Sequence, residues 1–112
     1  MNEQIKGIGP DAATTTNEAG GKQSATLYRC DLLPPIATLA VAEVLHQGAA
    51  KYGPDNWRKI PVMDHVNHAM IHLFATMAGD TQDEHLEHAA CRILFALELK
   101  RKPYDQVISQ NT

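Results

Sequence analysis

The stretch TQDEHLEHAACRILFALELKRKP, Thr81–Pro103, decides the fold. Thr81-x-x-Glu84 matches a capping box and predicts the start of a helix. Lys100-Arg101-Lys102 suits the negative end of that helix, and Pro103 stops it. At 100° per residue, Leu86, Ala89, Ala90, Ile93, Leu94 and Leu97 form one apolar stripe, yet Cys91 and Phe95 fall on the opposite side. The C-terminal half is apolar nearly all round, so the helix needs partners on two sides.

Two more helices are expected upstream. Pro34-Pro35 suits a first turn and predicts a helix running to about Gly48 or Lys51. There too Val41 and Leu45 lie away from Ile36, Leu39 and Ala40. Pro61 precedes a second helix, from Val62 to Ala78, closed by Gly79. Tyr52 to Ile60, marked by Gly53-Pro54 and Asp55-Asn56, reads as a loop. Three two-sided helices make a thin monomer. The expectation is an all-α bundle completed by homo-oligomerisation, as a dimer or larger. Residues 1–24 are polar, lack apolar periodicity and read as a flexible arm with a Gly20-Gly21 turn. Residues 25–112 read as the helical domain. No strand pattern stands out, apart from a short extended piece near Leu27–Cys30.

Composition narrows the function classes. In 112 residues, 10 Lys and Arg stand against 13 Asp and Glu, a net charge of −3. That balance excludes a protein whose main work is electrostatic grip on a nucleic acid polymer. Hydrophobic residues make up 44%, enough for a core, and aromatics only 5%, which favours helices over a β-sandwich. Cys30 and Cys91 are too few for a disulfide scaffold. The longest apolar run, Leu32 to Ala50, is broken by Pro34, Pro35, Glu43, His46 and Gln47, so no membrane span is expected. Nothing at the N-terminus reads as a signal peptide, and a cytoplasmic location is expected.

Four groups of residues are candidates for chemistry. Glu43 is the only Asp, Glu, Lys or Arg between Leu32 and Ala50, and it sits on the stripe of Ile36, Leu39 and Ala40. A carboxylate in such a setting is neutralised, paired or metal-bound, or else reaches water at the stripe's edge. His65, His68 and His72 share one stripe of the second helix, opposite Val66, Met70, Leu73 and Met77. A solvated or inter-subunit face fits His65 and His68, and His72 is the functional candidate. Asp80, Asp83, Glu84, Glu87 and His88 gather acids around the start of the last helix. Glu84, Glu87 and His88, at i, i+3 and i+4, share a side. Oxygen ligands there suit Mg²⁺ or Mn²⁺, while acids in a first turn also stabilise the helix dipole. The loop Lys51–Lys59 brings Tyr52, Asn56 and Trp57 together with cations, a set that stacks on bases and pairs with phosphates. Trp57 as a plug over the end of the core is the alternative.

The run Asp31-Leu-Leu-Pro-Pro, then Gly48-Ala-Ala-Lys-Tyr-Gly, then Asn56-Trp57, resembles a phage protein family, the N-terminal domain of dATP/dGTP diphosphohydrolases. Gly21-Lys22, His72 and His85-Leu-Glu-His88-Ala-Ala-Cys resemble it too, so the likeness runs from about Gly20 to Leu99. It implies a fold related to the MazG and HisE nucleotide pyrophosphohydrolases, helical oligomers that hold Mg²⁺ (or Mn²⁺) with acidic residues. The implied reaction converts a (d)NTP, with purine preference, to (d)NMP and pyrophosphate, in the host cytoplasm if the chain is phage-encoded. Glu43, His72 and His88 are then the catalytic candidates, and Glu43, Asp83, Glu84 and Glu87 the metal candidates. Lys22, Lys51, Tyr52, Asn56 and Trp57 are the candidates for nucleotide binding. The chain departs from the pattern at Ile71, where an Arg is usual, and at Arg92, where an Asn is frequent. Asp83-Glu84 also runs straight into His85. A non-catalytic sponge that sequesters a host immune signalling nucleotide is the alternative function.

Overall fold

The computed structural model describes residues 5–103. The outer ends of the two expected segments, residues 1–4 and 104–112, lie outside the described residues. The chain divides into two compact units, Met1–Leu33 and Pro34–Thr112.

The first unit corrects the expectation of a strandless arm. Strands β1 (Thr14–Thr16) and β2 (Lys22–Ser24) pair antiparallel, with Thr15 opposite Gln23. Three successive β-branched threonines favour extended backbone. Asn17 closes the turn, its Oδ1 accepting from the backbone N–H of Ala19 (3.0 Å) and of Gly21 (2.8 Å). Gly20 supplies the left-handed residue, at φ +87°. Every strand residue is exposed, so no apolar alternation announced the hairpin. Leu27–Cys30 forms no strand, and Cys30–Leu32 is a 3₁₀ turn instead.

The second unit holds three helices, as expected: α1 (Pro35–Tyr52), α2 (Val62–Met77) and α3 (His85–Arg101). Proline and glycine set their limits. Pro35 occupies the first turn of α1, and Gly53, at φ +92°, ends it by donating to the Ala49 carbonyl at 2.9 Å. Pro61 caps α2, and Gly79, at φ +83°, follows its end. The loop between α1 and α2 contains a 3₁₀ turn, Asn56–Lys59.

Thr81 does not cap α3. Asp80 Oδ2 accepts from the Gln82 N–H at 3.2 Å, and Asp83 Oδ1 from the Glu84 N–H at 2.8 Å. These local bonds compete with helical ones, and α3 begins at His85 with Glu84 as N-cap.

Helix α3 packs along α2 and, more lightly, against α1. Ala69 of α2 and Ala89 and Ala96 of α3 are buried, their short side chains letting the axes approach. Val44, Cys91 and Leu99 complete the buried apolar set. The Cys91 thiol donates to the Val41 carbonyl (3.5 Å), and burial raises its pKa. The expected α3 stripe is split, with Ala89 inside and Leu86, Ile93, Leu94 and Leu97 exposed.

Helix α2 is reversed relative to the expectation. His65 is fully buried, while Met70, Leu73 and Met77 are exposed, Met77 at 80%. Of the histidine stripe, His65 and His72 turn inward while His68 stays exposed. On α1, Ile36 and Leu39 are exposed as well, at 84% and 70%. Each helix therefore keeps one apolar side that the other two helices do not cover. Among the described residues, no helix is long and apolar enough to cross a membrane.

Candidate functional site

A cavity of about 890 Å³ opens between the C-terminal half of α1, the loop after it, and the inner faces of α2 and α3. Its size falls within the range of small-ligand sites. Lys51, Tyr52, Asn56 and Trp57 line it from α1 and the loop, His65 and His72 from α2, and Asp83, His88, Arg92 and Phe95 from α3 and the segment before it.

At one end the Trp57 ring stacks on Phe95, centroids 4.5 Å apart and planes within 9°. The Arg58 guanidinium lies over the same indole at 4.4 Å, and its Nε donates to Asp55 at 3.2 Å. Trp57 therefore has intramolecular ring partners, as a plug over the core would. Tyr52 is 62% exposed at the cavity edge, with Lys51 Nζ 5.1 Å from its ring centre.

Below Trp57 stands His65. Its Nε2 lies 2.9 Å from the Trp57 carbonyl oxygen, and its Nδ1 lies 3.2 Å from Nη1 of Arg92. A carbonyl only accepts and a guanidinium only donates. Nε2 therefore carries the proton, and Nδ1 is a bare acceptor. Burial pushes the His65 pKa down, and the Arg92 charge pushes the same way. The expectation of a solvated or inter-subunit His65 is thus corrected. The imidazole is sheltered because both ring nitrogens have partners and α3 lies against it. His68, one turn on, is exposed.

The other end of the cavity holds a cluster of histidines and aspartates. Nδ1 of His72 and Nδ1 of His85 are 2.9 Å apart, and Nε2 of His85 is 2.5 Å from Asp80 Oδ2. His88 stacks on His72 with centroids 5.1 Å apart, and its Nε2 lies 3.4 Å from Asp83 Oδ1. Burial lowers the His72 pKa, helped by the neighbouring His88 and His85. The Glu84 N–H holds the Asp83 carboxyl below its usual range, with His88, His72 and His85 acting the same way. The hydrogen bond from His85 does so for Asp80. Donor atoms of His72, Asp83 and His85 all lie within 4.8 Å of one another, close enough to hold a metal ion.

The structure thus gathers His72, His88, Asp83, Lys51, Tyr52, Asn56 and Trp57 around one cavity. It does not bring the other acids there. Glu43 is exposed on α1 and does not line the cavity. Glu84 and Glu87 line a separate shallow groove with Asp80 and His85, and Asp83 borders both. Lys22 is exposed on β2, in the first unit. Asp80 stood only as one of the acids near the start of α3, and His65 only as a solvated or inter-subunit histidine. His85 was noted only within the motif that resembles the family, and Arg92 only as a departure from it.

No curated protein and no solved structure matches the chain. Residues 17–107 match the family described as "dATP/dGTP diphosphohydrolase, N-terminal", and the chain belongs to that family.

Proposed function

We propose that the protein is a divalent-metal-dependent nucleotide pyrophosphohydrolase. It would use water to cleave a purine (d)NTP between the α and β phosphates, giving the (d)NMP and pyrophosphate. The observation that carries this reading is the single cavity that combines an aromatic and amide end with cations and a histidine–aspartate cluster. The family description points to the same chemistry.

Each lining residue has a use in that reaction. Tyr52 has an exposed ring to stack on the base, and Asn56 offers amide hydrogen bonds to its edge. Trp57, engaged with Phe95 and Arg58, shapes that end instead. Lys51 and Arg92 meet the phosphates. The residues placed to hold a divalent cation are Asp83, His72 and the adjoining His85, and such an ion would neutralise phosphate charge and lower the pKa of water. His88, between His72 and Asp83, orients both. The uncovered apolar sides of α1, α2 and α3 support a homo-oligomer.

One observation favours a second reading. Of the five acids singled out around the start of α3 and on α1, only Asp83 lines the cavity. A protein that binds a nucleotide without cleaving it would need no more. Full-length protein incubated with dATP or dGTP and Mg²⁺ or Mn²⁺ distinguishes the two. Pyrophosphate release, lost in Asp83→Ala, is expected. Tight binding without release would leave the sequestering protein. A Glu43→Ala variant that keeps full release would set Glu43 apart from the chemistry.

A further inference from the structure

Magnesium takes oxygen ligands and keeps several waters. The border between the cavity and the shallow groove presents something different. Nδ1 of His72, which lines the cavity, and Nδ1 of His85, which lines the groove, stand 2.9 Å apart, and one ligand atom from each of His72, Asp83 and His85 lies within 4.8 Å of the others. We propose that His72, Asp83 and His85 form a nitrogen-rich site for a borderline first-row divalent cation, binding cobalt and zinc more tightly than manganese and manganese more tightly than magnesium. Asp80 is its positioning residue.

The hydrogen bonds around His85 carry the argument. Asp80 Oδ2 lies 2.5 Å from Nε2 of His85. An ionised carboxylate only accepts, so the His85 proton is on Nε2 and its Nδ1 lone pair faces His72. A carboxylate behind an imidazole in this way is the usual outer support of a metal-bound histidine.

The spacing agrees. With His85 Nδ1 bare, His72 must donate its Nδ1 proton across the 2.9 Å gap. Two nitrogens each about 2.1 Å from one cation stand about 3.0 Å apart at a right angle and about 3.4 Å apart at the tetrahedral angle, so the two rings need part by no more than about 0.5 Å. A cation taking the place of that shared proton leaves His72 neutral, the proton passing to Nε2. Asp83 contributes the negative charge, and the Glu84 N–H fixes its Oδ1 from 2.8 Å. Two imidazoles and one carboxylate follow the general order of affinities among divalent ions, in which cobalt and zinc exceed manganese.

This deepens the hydrolase reading and rests on it for the use made of the cation, so the test reads binding alone. Full-length protein is titrated with Co²⁺ in the absence of nucleotide. One equivalent per chain is expected, with visible absorption bands characteristic of nitrogen ligation. Zn²⁺ should displace it, and a hundredfold excess of Mg²⁺ should not. His72→Ala and His85→Ala should abolish the bands in protein that remains helical by circular dichroism. Asp80→Asn should keep the stoichiometry and weaken affinity about 10–100-fold. If the alanine variants unfold, Asp80→Asn decides the matter, and unchanged affinity there overturns the proposal. Displacement of Co²⁺ by equimolar Mg²⁺, or bands that survive in folded His85→Ala, also overturns it. Pyrophosphate release is measured separately. Cobalt binding intact without release from any nucleotide supports the metal site and refutes the hydrolase reading alone.

Discussion

Arg92 donates from Nη1 to Nδ1 of His65 across 3.2 Å, and that imidazole, being neutral, does not offset the guanidinium charge. His65 is fully buried and bonded on its other side to the Trp57 carbonyl, so it anchors one nitrogen of Arg92 at the cavity wall. The remaining donors of the fork match phosphate oxygens.

Arg92→Ala should therefore weaken dGTP binding about 10–100-fold, the equivalent of a lost hydrogen bond to a charged group. Calorimetric titration of dGTP beside the unphosphorylated nucleoside checks this. The nucleoside should be unaffected, and an equal loss for both would place Arg92 away from the phosphates.

Stability should fall with acid. The His65 pKa is lowered from 6.5 by burial, so the unfolded chain binds the proton more readily than the folded one. The stabilisation is complete above the unfolded value and is lost as pH falls through the lower folded one. The His72 pKa is lowered too and adds to the same slope. Melting temperatures from pH 7.5 to 5 should drop, and His65→Gln should flatten the drop. A parallel curve for the variant would refute the assignment.

Tyr52 and Trp57 should separate binding from folding. Tyr52 is 62% exposed, so Tyr52→Ala should leave the melting temperature nearly unchanged and weaken nucleotide binding about tenfold, a typical stacking loss. Trp57→Ala removes the stack on Phe95 and should destabilise the fold by about 2 kcal/mol. Thermal melts and nucleotide titrations on both variants are the check.

The uncovered side of α2 should mediate self-association. Phe74 and Met77 are 62% and 80% exposed there. Sedimentation velocity should show the full-length chain as a dimer or larger, and Phe74→Glu with Met77→Glu should shift it toward the monomer. A wild-type chain that sediments as a monomer at high concentration refutes this.

Helix positions were legible because their signals are local. Pro35, Gly53, Pro61 and Gly79 act through their own backbone angles, whatever packs nearby. The start of α3 was less legible, because Asp80 and Asp83 bond their own following N–H groups. The hairpin was hidden because its exposed strands have no apolar face to reveal a period. Of the site, the loop after α1 and the pair His72 and His88 stood out by residue type alone. Asp80 and His65 were noticed by type, but their roles and those of Arg92 and His85 were not legible, because their meaning lies in partners distant in sequence or across a turn.

Sequence by itself determined that the chain makes three helices with apolar residues on more than one side. Which side turns inward was decided by tertiary structure. A helix with methionines and leucines on one face and histidines on the other would bury the methionines by hydrophobicity alone. Here α2 turns His65 and His72 inward, because the Trp57 carbonyl and Arg92 satisfy His65 and Ala69 lets α3 close against it. That choice places imidazoles around the cavity and leaves the methionine side outward.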